Sequence, residues 1–416
     1  MKIAVVNWRD PWHPQAGGAE TFAWESARRF ARAGHQVTYV TARAPGQRRS
    51  ELVEGVRFVR MGGVFTVYPL VLAWLLLRRG RFDAVLDCQN GIPFFTPWVV
   101  RRRTRVVCVV HHVHDRQFGV HMPGWLAAFG RFLEGPVSRW SYRRHASVAV
   151  SPSTELAMRE RLGWRGPVHV IPNGVSVVQP GPVEKSREPR LVCLGRLVAH
   201  KRLHLLLDAV AELREHHPDL TVDIIGRGPE EAALRARLPE GVTLHGYLPE
   251  EEKARVVARA WLHISASQGE GWGLSVLEAA ALGVPTVAFD VDGLRDAVRP
   301  GETGWLLLED GEPVQGLAKG IAAALDELDE TYSVKCRAWA DRFSWDHSAE
   351  RLLALLRGDD PGADPAFGLS EGLADGLSEA RAGDPGEVRS GGCAGDPGEV
   401  RSGGCAGDPA LGWERP

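Results

Sequence analysis

The densest chemistry in this 416-residue chain lies in Glu270-Gly271-Trp272-Gly273-Leu274-Ser275-Val276-Leu277-Glu278, which sets two carboxylates eight positions apart. Gly271 and Gly273 let the backbone come close to a ligand, and the apolar residues after them begin a helix that carries Glu278. A carboxylate so placed can accept hydrogen bonds from vicinal hydroxyls, as at the ribose of nucleotide sites. A helix-start glutamate favoured by the dipole explains one carboxylate, but not the pair with its glycines. Gly195-Arg196-Leu197-Val198-Ala199-His200-Lys201 adds two cations five residues apart at a strand's carboxyl end. That spacing suits a pyrophosphate, with Arg196 as a fork and Lys201 as a point charge; a solvated basic loop is the plain alternative. In Gln15-Ala16-Gly17-Gly18-Ala19-Glu20, paired glycines lead into a helix whose free N–H groups favour an anion. The full G-x-G-x-x-G fingerprint is absent there, and a tight turn accounts for Gly17-Gly18 equally well.

Histidines could suggest a metal instead. His111, His112 and His114 follow a strand-like run, but His111 and His112 are adjacent and would point to opposite sides of an extended chain. His200 and His204 stand four apart without the glutamate of an H-E-x-x-H motif. Asp290-Val291-Asp292 resembles a metal-binding Asp-x-Asp, yet its place after a strand favours loop capping. With no ligand spacing of a known kind, no metal is expected.

These loops need strands to hold them. Lys2–Asn7 reads as a buried strand, and Ala19, Phe22, Ala23, Ala27, Phe30 and Ala31 then recur at helical steps. The same grammar returns at Arg190–Leu194, a helix bearing Leu203, Leu206, Leu207, Val210 and Leu213, and the strand Thr221–Ile225. Two such openings imply an α/β fold of two Rossmann-like domains, residues 1–178 and 186–340, joined by a Pro/Gly linker. Ligands of open α/β sheets bind at the carboxyl ends of strands, so two facing domains would make a cleft. Residues 358–416 differ: 15 Gly and 6 Pro, and a twelve-residue block duplicated at 383–394 and 395–406, predict a disordered low-complexity tail. Cys393 and Cys405 are copies of one residue rather than a metal pair.

At this point the chain resembles the retaining glycosyltransferases of family 4, which have the GT-B fold of two facing Rossmann-like domains. The resemblance runs from Met1 to about Leu356. It rests on Gly17-Gly18-Ala19-Glu20, Ile171-Pro172-Asn173-Gly174-Val175, Gly195-Arg196 with Lys201, Ile225-Gly226-Arg227-Gly228-Pro229, His245-Gly246-Tyr247-Leu248 and the Glu270…Glu278 pair. It implies that Arg196 and Lys201 hold the donor pyrophosphate and stabilise the leaving nucleoside diphosphate, in place of a metal ion. It implies that Glu278 binds both ribose hydroxyls, which favours a UDP- or GDP-sugar over a deoxyribose donor. Glu270 would lie beside the transferred sugar, and the amides of Gly273 and Leu274 would face sugar or phosphate. Gly18, Asn173 and Gly226 join the donor-binding set, and His111 takes the place of a histidine near the reacting sugar, with His112 and His114 leaving its register open. The implied reaction is transfer with retention to an acceptor hydroxyl. Asp292-Gly293-Leu294-Arg295-Asp296 departs from the family, with one glycine where two are usual and Asp296 in place of Glu. Residues 341–357 resemble the terminal helix that crosses back to the first domain. A GT-B epimerase or sugar phosphorylase, and a non-catalytic sugar-nucleotide-binding protein, are the competing readings.

Composition sets the remaining expectations. Lys+Arg number 50 and Asp+Glu 52, but residues 1–180 carry 25 and 11 of these, so the near-zero sum hides a basic first half. A basic acceptor domain fits an anionic acceptor or an acidic membrane surface; the near-zero total charge gives no expectation of nucleic acid as a partner. The Met1–Asn7 start lacks the form of a secretory signal. The apolar stretch Val64 to Leu77, interrupted by Thr66 and Pro69, is too short to span a bilayer and reads as a buried helix. Cysteines without paired spacing complete the expectation of a cytoplasmic protein, with peripheral contact at the inner face of the membrane. Trp8, Trp12 and His13 either line the acceptor side or pack.

Overall fold

The structure, a computed structural model, describes residues 1–13, 15–115 and 123–367. Val- and Ile-rich runs form strands buried on both faces, as parallel sheets require; in Ala84–Gln89 every position is buried. The first sheet contains β1 (Lys2–Val6), β2 (Gln36–Thr41), β3 (Ser50–Val53), β4 (Val56–Arg60), β5 (Ala84–Gln89), β6 (Arg105–Val110), β7 (Ala146–Ala149) and β8 (Val168–Val170). The second contains β9 (Arg190–Leu194), β10 (Thr221–Ile225), β11 (Val242–Gly246), β12 (Leu262–Ser265), β13 (Thr286–Phe289) and β14 (Gly304–Leu307). Their orders are β3-β4-β2-β1-β5-β6-β7-β8 and β11-β10-β9-β12-β13-β14. Among these described strands only the β3–β4 pair is antiparallel.

In each sheet the strand order reverses beside its first long strand. β1 lies between β2 and β5, and β9 between β10 and β12. The crevice beyond such a reversal is where open α/β sheets bind ligands. The loops that leave β1 and β9 carry Gly17-Gly18 and Arg196…Lys201, so topology alone brings these segments to the binding edge.

Phe22, Ala23, Ala27 and Phe30 of the helix Gly18–Arg32 cover one face of the first sheet. The helix Trp345–Arg357 covers the same face through Leu352, Leu355 and Leu356. It is tied to the first domain by Ser348 Oγ donating to the Pro172 carbonyl at 2.7 Å and by Arg29 against Asp346 at 2.6 Å. Gly174 is glycine for a steric reason: a Cβ there would stand 2.2 Å from the Trp345 nitrogen.

Two expectations need correction, and one open alternative is decided. The folded chain runs ten residues beyond 357: Asp364 is ion-paired with buried Arg351, and Arg351 also donates to the Val170 and Gly362 carbonyls at 2.8 Å. Phe367 meets Trp272 at a ring distance of 5.6 Å. The duplicated block lies outside the described residues. The apolar stretch near residue 70 does form a helix, Val67–Leu77, but only Val67, Val71 and Leu75 are buried. Leu70, Leu76 and Leu77 face outward, because one sheet face is all that is available to cover. Trp8 and Trp12 pack: Trp12 lies 5.0 Å from Phe58 and 5.3 Å from Trp24, and Trp8 Nε1 donates to the Val64 carbonyl. Among the described residues no helix is long and apolar enough to cross a membrane.

Candidate active site

A cleft with a cavity volume of about 540 Å³ opens between the two sheets. Its first-domain wall includes Gly17, Gly18, Asn90, His111, His112, His114 and Asn173. The second domain contributes Gly195, Arg196, Lys201, Gly226, Arg227, Tyr247, Glu250, Lys253, Glu270, Gly273, Leu274 and Glu278. Thus Glu270, His111, Arg196, Lys201, Gly18, Gly273, Leu274, Glu278, Gly226 and Asn173 all come together in one cavity.

Backbone geometry explains why the loops meet there. Gly226 has φ +151°, and a Cβ on it would collide with the Gly195 carbonyl oxygen at 1.8 Å. Only a glycine lets the ends of β9 and β10 approach so closely. Gly273 caps the helix Leu274–Ala281 in the left-handed region at φ 78°, where an L side chain would be strained. Gly273 and Leu274 thus line the cavity at the N-terminus of that helix. Gly293, the single glycine of the divergent loop, lies behind Glu270: a Cβ would stand 2.4 Å from the Glu270 carbonyl oxygen, while Glu270 N donates to the Asp292 carbonyl at 2.9 Å. That loop supports the Glu270 backbone. Asp296 accepts from Ser153 N at 3.0 Å, joining the two domains beside the cleft.

The charged side chains of the second-domain wall form three ion pairs, and among the described residues Arg196 and Arg227 have no carboxylate partner. Lys201 Nζ donates to Glu270 Oε1 at 2.5 Å. Burial favours the neutral acid at Glu270, but the Lys201 ammonium, the Ser267 hydroxyl and His200 prevail and hold it below the usual carboxylate range. Lys253 Nζ lies 3.4 Å from Glu278 and 2.8 Å from Glu250. Here burial prevails: it pushes the Glu278 carboxyl up, Lys253 only partly offsets it, and Glu250 adds to the rise. Arg196 makes no ion pair among the described residues; it reaches over Gly17 and donates to the Gln15 carbonyl of the first domain at 3.3 Å. Its charge is therefore available to an anion in the cleft.

The histidines differ from the sequence expectation. β6 ends at Val110, and although adjacent, His111 and His112 both line the cavity along with His114. The His111 ring packs edge-on against Phe22 at 5.1 Å, and burial, with His114 adding, pushes its pKa down to about 3. His112 is likewise pushed down to about 3 by burial. Both rings are neutral at ordinary pH and can accept or donate through one nitrogen each. His111 Nε2, Asn173 Oδ1 and Trp272 Nε1 are buried around the cavity without a hydrogen-bond partner among the described residues. Orphaned polar atoms of this kind suit a ligand rich in hydroxyls. Among the described residues no three His, Cys, Asp or Glu side chains form a possible metal site.

The sequence did not single out Lys253, Glu250 or Asn90. Lys253 follows Glu250-Glu251-Glu252 at the start of the helix Glu250–Arg259, where a charge run reads as a solvated face. Its link to Glu278 spans 25 positions and has no local signal.

Comparison with known proteins places the fold and these motifs in one group. Residues 16–179 match the family described as Glycosyltransferase Family 4, and residues 188–327 match Glycosyl transferases group 1. The glycogen synthase of Mycobacterium tuberculosis is 28% identical over 407 residues, covering 86% of this chain and 96% of that protein. Among solved structures, sucrose-phosphate synthase of Thermosynechococcus elongatus superposes with a TM-score of 0.71 at 20% identity, over 86% of this chain and 98% of that one. The Anabaena protein HepE, crystallised with UDP and glucose, gives 0.65 at 18% identity, over 86% and 100%.

Proposed function

From a chain that belongs to the family-4-like glycosyltransferases of the GT-B fold, we propose that it moves a sugar from a UDP- or GDP-sugar to an acceptor hydroxyl, with retention of anomeric configuration and without a metal ion. The observation that carries this reading is the juxtaposition of Arg196, Lys201, Glu270 and Glu278 on one wall with Gly18, His111 and Asn173 on the other. Relatives support it: HepE was crystallised with UDP and glucose, and the mycobacterial relative is a glycogen synthase.

In this reading the nucleoside lies against the second domain, with both ribose hydroxyls donating to Glu278. The diphosphate lies over Gly195 and Gly226, between the Arg196 guanidinium and the Lys201 ammonium. As the bond to the sugar breaks, negative charge grows on the leaving phosphate, and two cations already in place stabilise it without reorganisation. This is the work a metal ion would do. Lys201 bridges the phosphate and Glu270, and Glu270, kept ionised by that contact, faces the sugar as positive charge develops at its anomeric carbon. The neutral His111 and the Gly273 and Leu274 amides hold sugar hydroxyls. The acceptor hydroxyl approaches from the first-domain side, on the face the phosphate leaves, and gives its proton to that phosphate.

The test is a screen of UDP- and GDP-sugars with cell extract as acceptor source, run with and without EDTA, followed by NMR of the product. Retained configuration and EDTA resistance are expected; an inverted product would overturn the mechanism, and acceptor-independent epimerisation would overturn the transferase reading.

A further inference from the structure

We propose that the outer layer of the first domain docks on an anionic lipid bilayer, seating Trp125, Phe129, Phe132 and Trp140 at the interface while the surrounding arginines meet lipid phosphates. The inference is independent of the transfer chemistry, since none of these residues lines the cleft.

The helix Gly124–Phe132 continues through the wider turn Leu133–Val137 into Ser138–Tyr142 as one helical run. A helix on a globular domain normally turns its apolar stripe inward. Here the inward side is anchored by Tyr142, with Leu133 and Val137 packed partly against the domain, and its other buried positions are small or polar: Ala127, Gly130, Glu134, Gly135, Ser138 and Ser141. Trp125, Phe129, Phe132 and Trp140, at steps of four, three and eight, are 52–75% exposed. They form a single outward stripe, because those steps fall on one helical face.

Contacts carry the stripe across the domain surface. The exposed Trp98 ring lies 6.3 Å from Trp140 and donates to Ser141 Oγ at 3.0 Å. Arg143 sits over the Trp140 ring at 4.8 Å, and Arg78 over Trp74 at 4.5 Å. Arg101 packs beside Gly80, which joins the 101–103 arginines to those at 78–81. The helix Val67–Leu77 then adds Leu70, Leu76 and Leu77, the last 83% exposed. Val67, Val71, Tyr142 and Phe95 enter one hydrophobic cluster, so all these elements cover the same face of the first sheet.

Charge selects the occupant. Residues 55–154 contain 14 arginines and four carboxylates. Asp87 and Glu134 are buried, Asp115 pairs with Arg161, and Asp83 accepts the Lys2 amide at 2.8 Å. A second copy of the chain would press arginine against arginine, and a neutral apolar partner would leave the arginines unmatched. An anionic bilayer satisfies both features: amphipathic Trp rings settle at headgroup level, and arginine stems run along them to the phosphates.

The experiment is flotation of the full chain with vesicles of phosphatidylcholine alone and of phosphatidylcholine mixed equally with phosphatidylglycerol. Binding is expected only to the mixed vesicles, and should weaken as salt is raised. Replacing Trp125→Ser, Phe129→Ser and Phe132→Ser together should lower partitioning by roughly tenfold or more. Replacing Arg101→Gln, Arg102→Gln and Arg103→Gln together should lower it by roughly a hundredfold. Circular dichroism reports whether each variant keeps its fold; should one not, brominated lipid must still quench the tryptophan fluorescence of the unaltered chain. Absence of binding to mixed vesicles, full binding by the folded aromatic variant, or a dimer that this variant converts to monomer would each overturn the proposal.

Discussion

Glu278 is a buried carboxylate whose pKa is raised even with a lysine beside it, yet the proposed ribose contact needs it ionised. Two hydrogen bonds to a charged acceptor are worth about 3 kcal/mol together, so Glu278→Ala should weaken UDP or GDP binding roughly a hundredfold. Glu270→Ala should leave nucleotide binding within a few fold and lower turnover by roughly 100-fold, the loss of one preorganised charge at the reacting centre. Calorimetry of nucleotide binding together with steady-state rates separates the two, and unchanged values in both variants would sink the assignment. Lys253 governs the same chemistry from one step away. Because Lys253 offsets part of the rise at Glu278, Lys253→Met should raise that carboxyl further. Nucleotide affinity falls as pH drops through the Glu278 pKa, so in Lys253→Met this loss should begin at a higher pH; an unmoved profile would remove Lys253 from the site. The contrast shows which residues could be read in advance. Arg196, Lys201, Glu270 and Glu278 sit in loops after strands or at a helix start, where local pattern fixes position. Lys253 becomes visible only once β9 and β12 bring two distant helices together.

Elements followed the same rule. The strands at Lys2–Val6, Arg190–Leu194 and Thr221–Ile225 were legible because central parallel strands are buried on two faces and read as apolar runs, whereas the edge strands Ser50–Val53 and Val168–Val170, only partly buried, carry no such run. The helix Val67–Leu77 was legible as a helix, but its apolar residues occupy every face, so pattern could not say which side stays uncovered. Residues 358–367 were misread because Gly and Pro content measures composition, whereas their order rests on the tertiary contact of Asp364 with Arg351. That contact supplies a test. Arg351 and Asp364 are both buried, and removing one partner of such a pair leaves a charge without compensation, at a cost of about 3–5 kcal/mol. A chain ending at Arg357 also loses the Phe367 ring from Trp272 and Phe343. Its urea midpoint should fall well below that of a chain ending at Phe367, and Asp364→Ala in the full chain should reproduce most of the difference. Equal midpoints would mean that the segment merely rests on the surface.

For the whole molecule, the balance of charge matters less than which groups are locked neutral. The formal net charge of −2 conceals a first half of 25 basic against 11 acidic residues, and it predicts nothing about stability in acid. The buried histidines do. Burial pushes His111, His112 and His263 down to about 3. A base whose folded pKa lies below its unfolded value, about 6.5, stays neutral in the fold while the unfolded chain takes up the proton. Stability is therefore complete above about pH 6.5 and is lost progressively towards pH 3, by up to about 1.4 kcal/mol per pH unit for each histidine. Glu20, Asp87 and Asp296 act in the opposite sense, since burial raises them and acid relieves their penalty. Their relief sets in as the pH falls through their raised folded values and is complete below about pH 4, where their unfolded counterparts titrate, so it offsets part of the histidine loss. Between pH 7.5 and 5.5 the three histidines should cost about 4 kcal/mol, read as a falling urea midpoint. His263 lies outside the cleft, bonded through Nδ1 to Thr286 Oγ1 at 3.1 Å. His263→Gln should therefore remove about a third of that pH dependence, whatever it does to stability at pH 7.5. A midpoint that stays flat from pH 7.5 to 5.5, or a slope that His263→Gln leaves unchanged, would show that the buried rings do not control the acid limit.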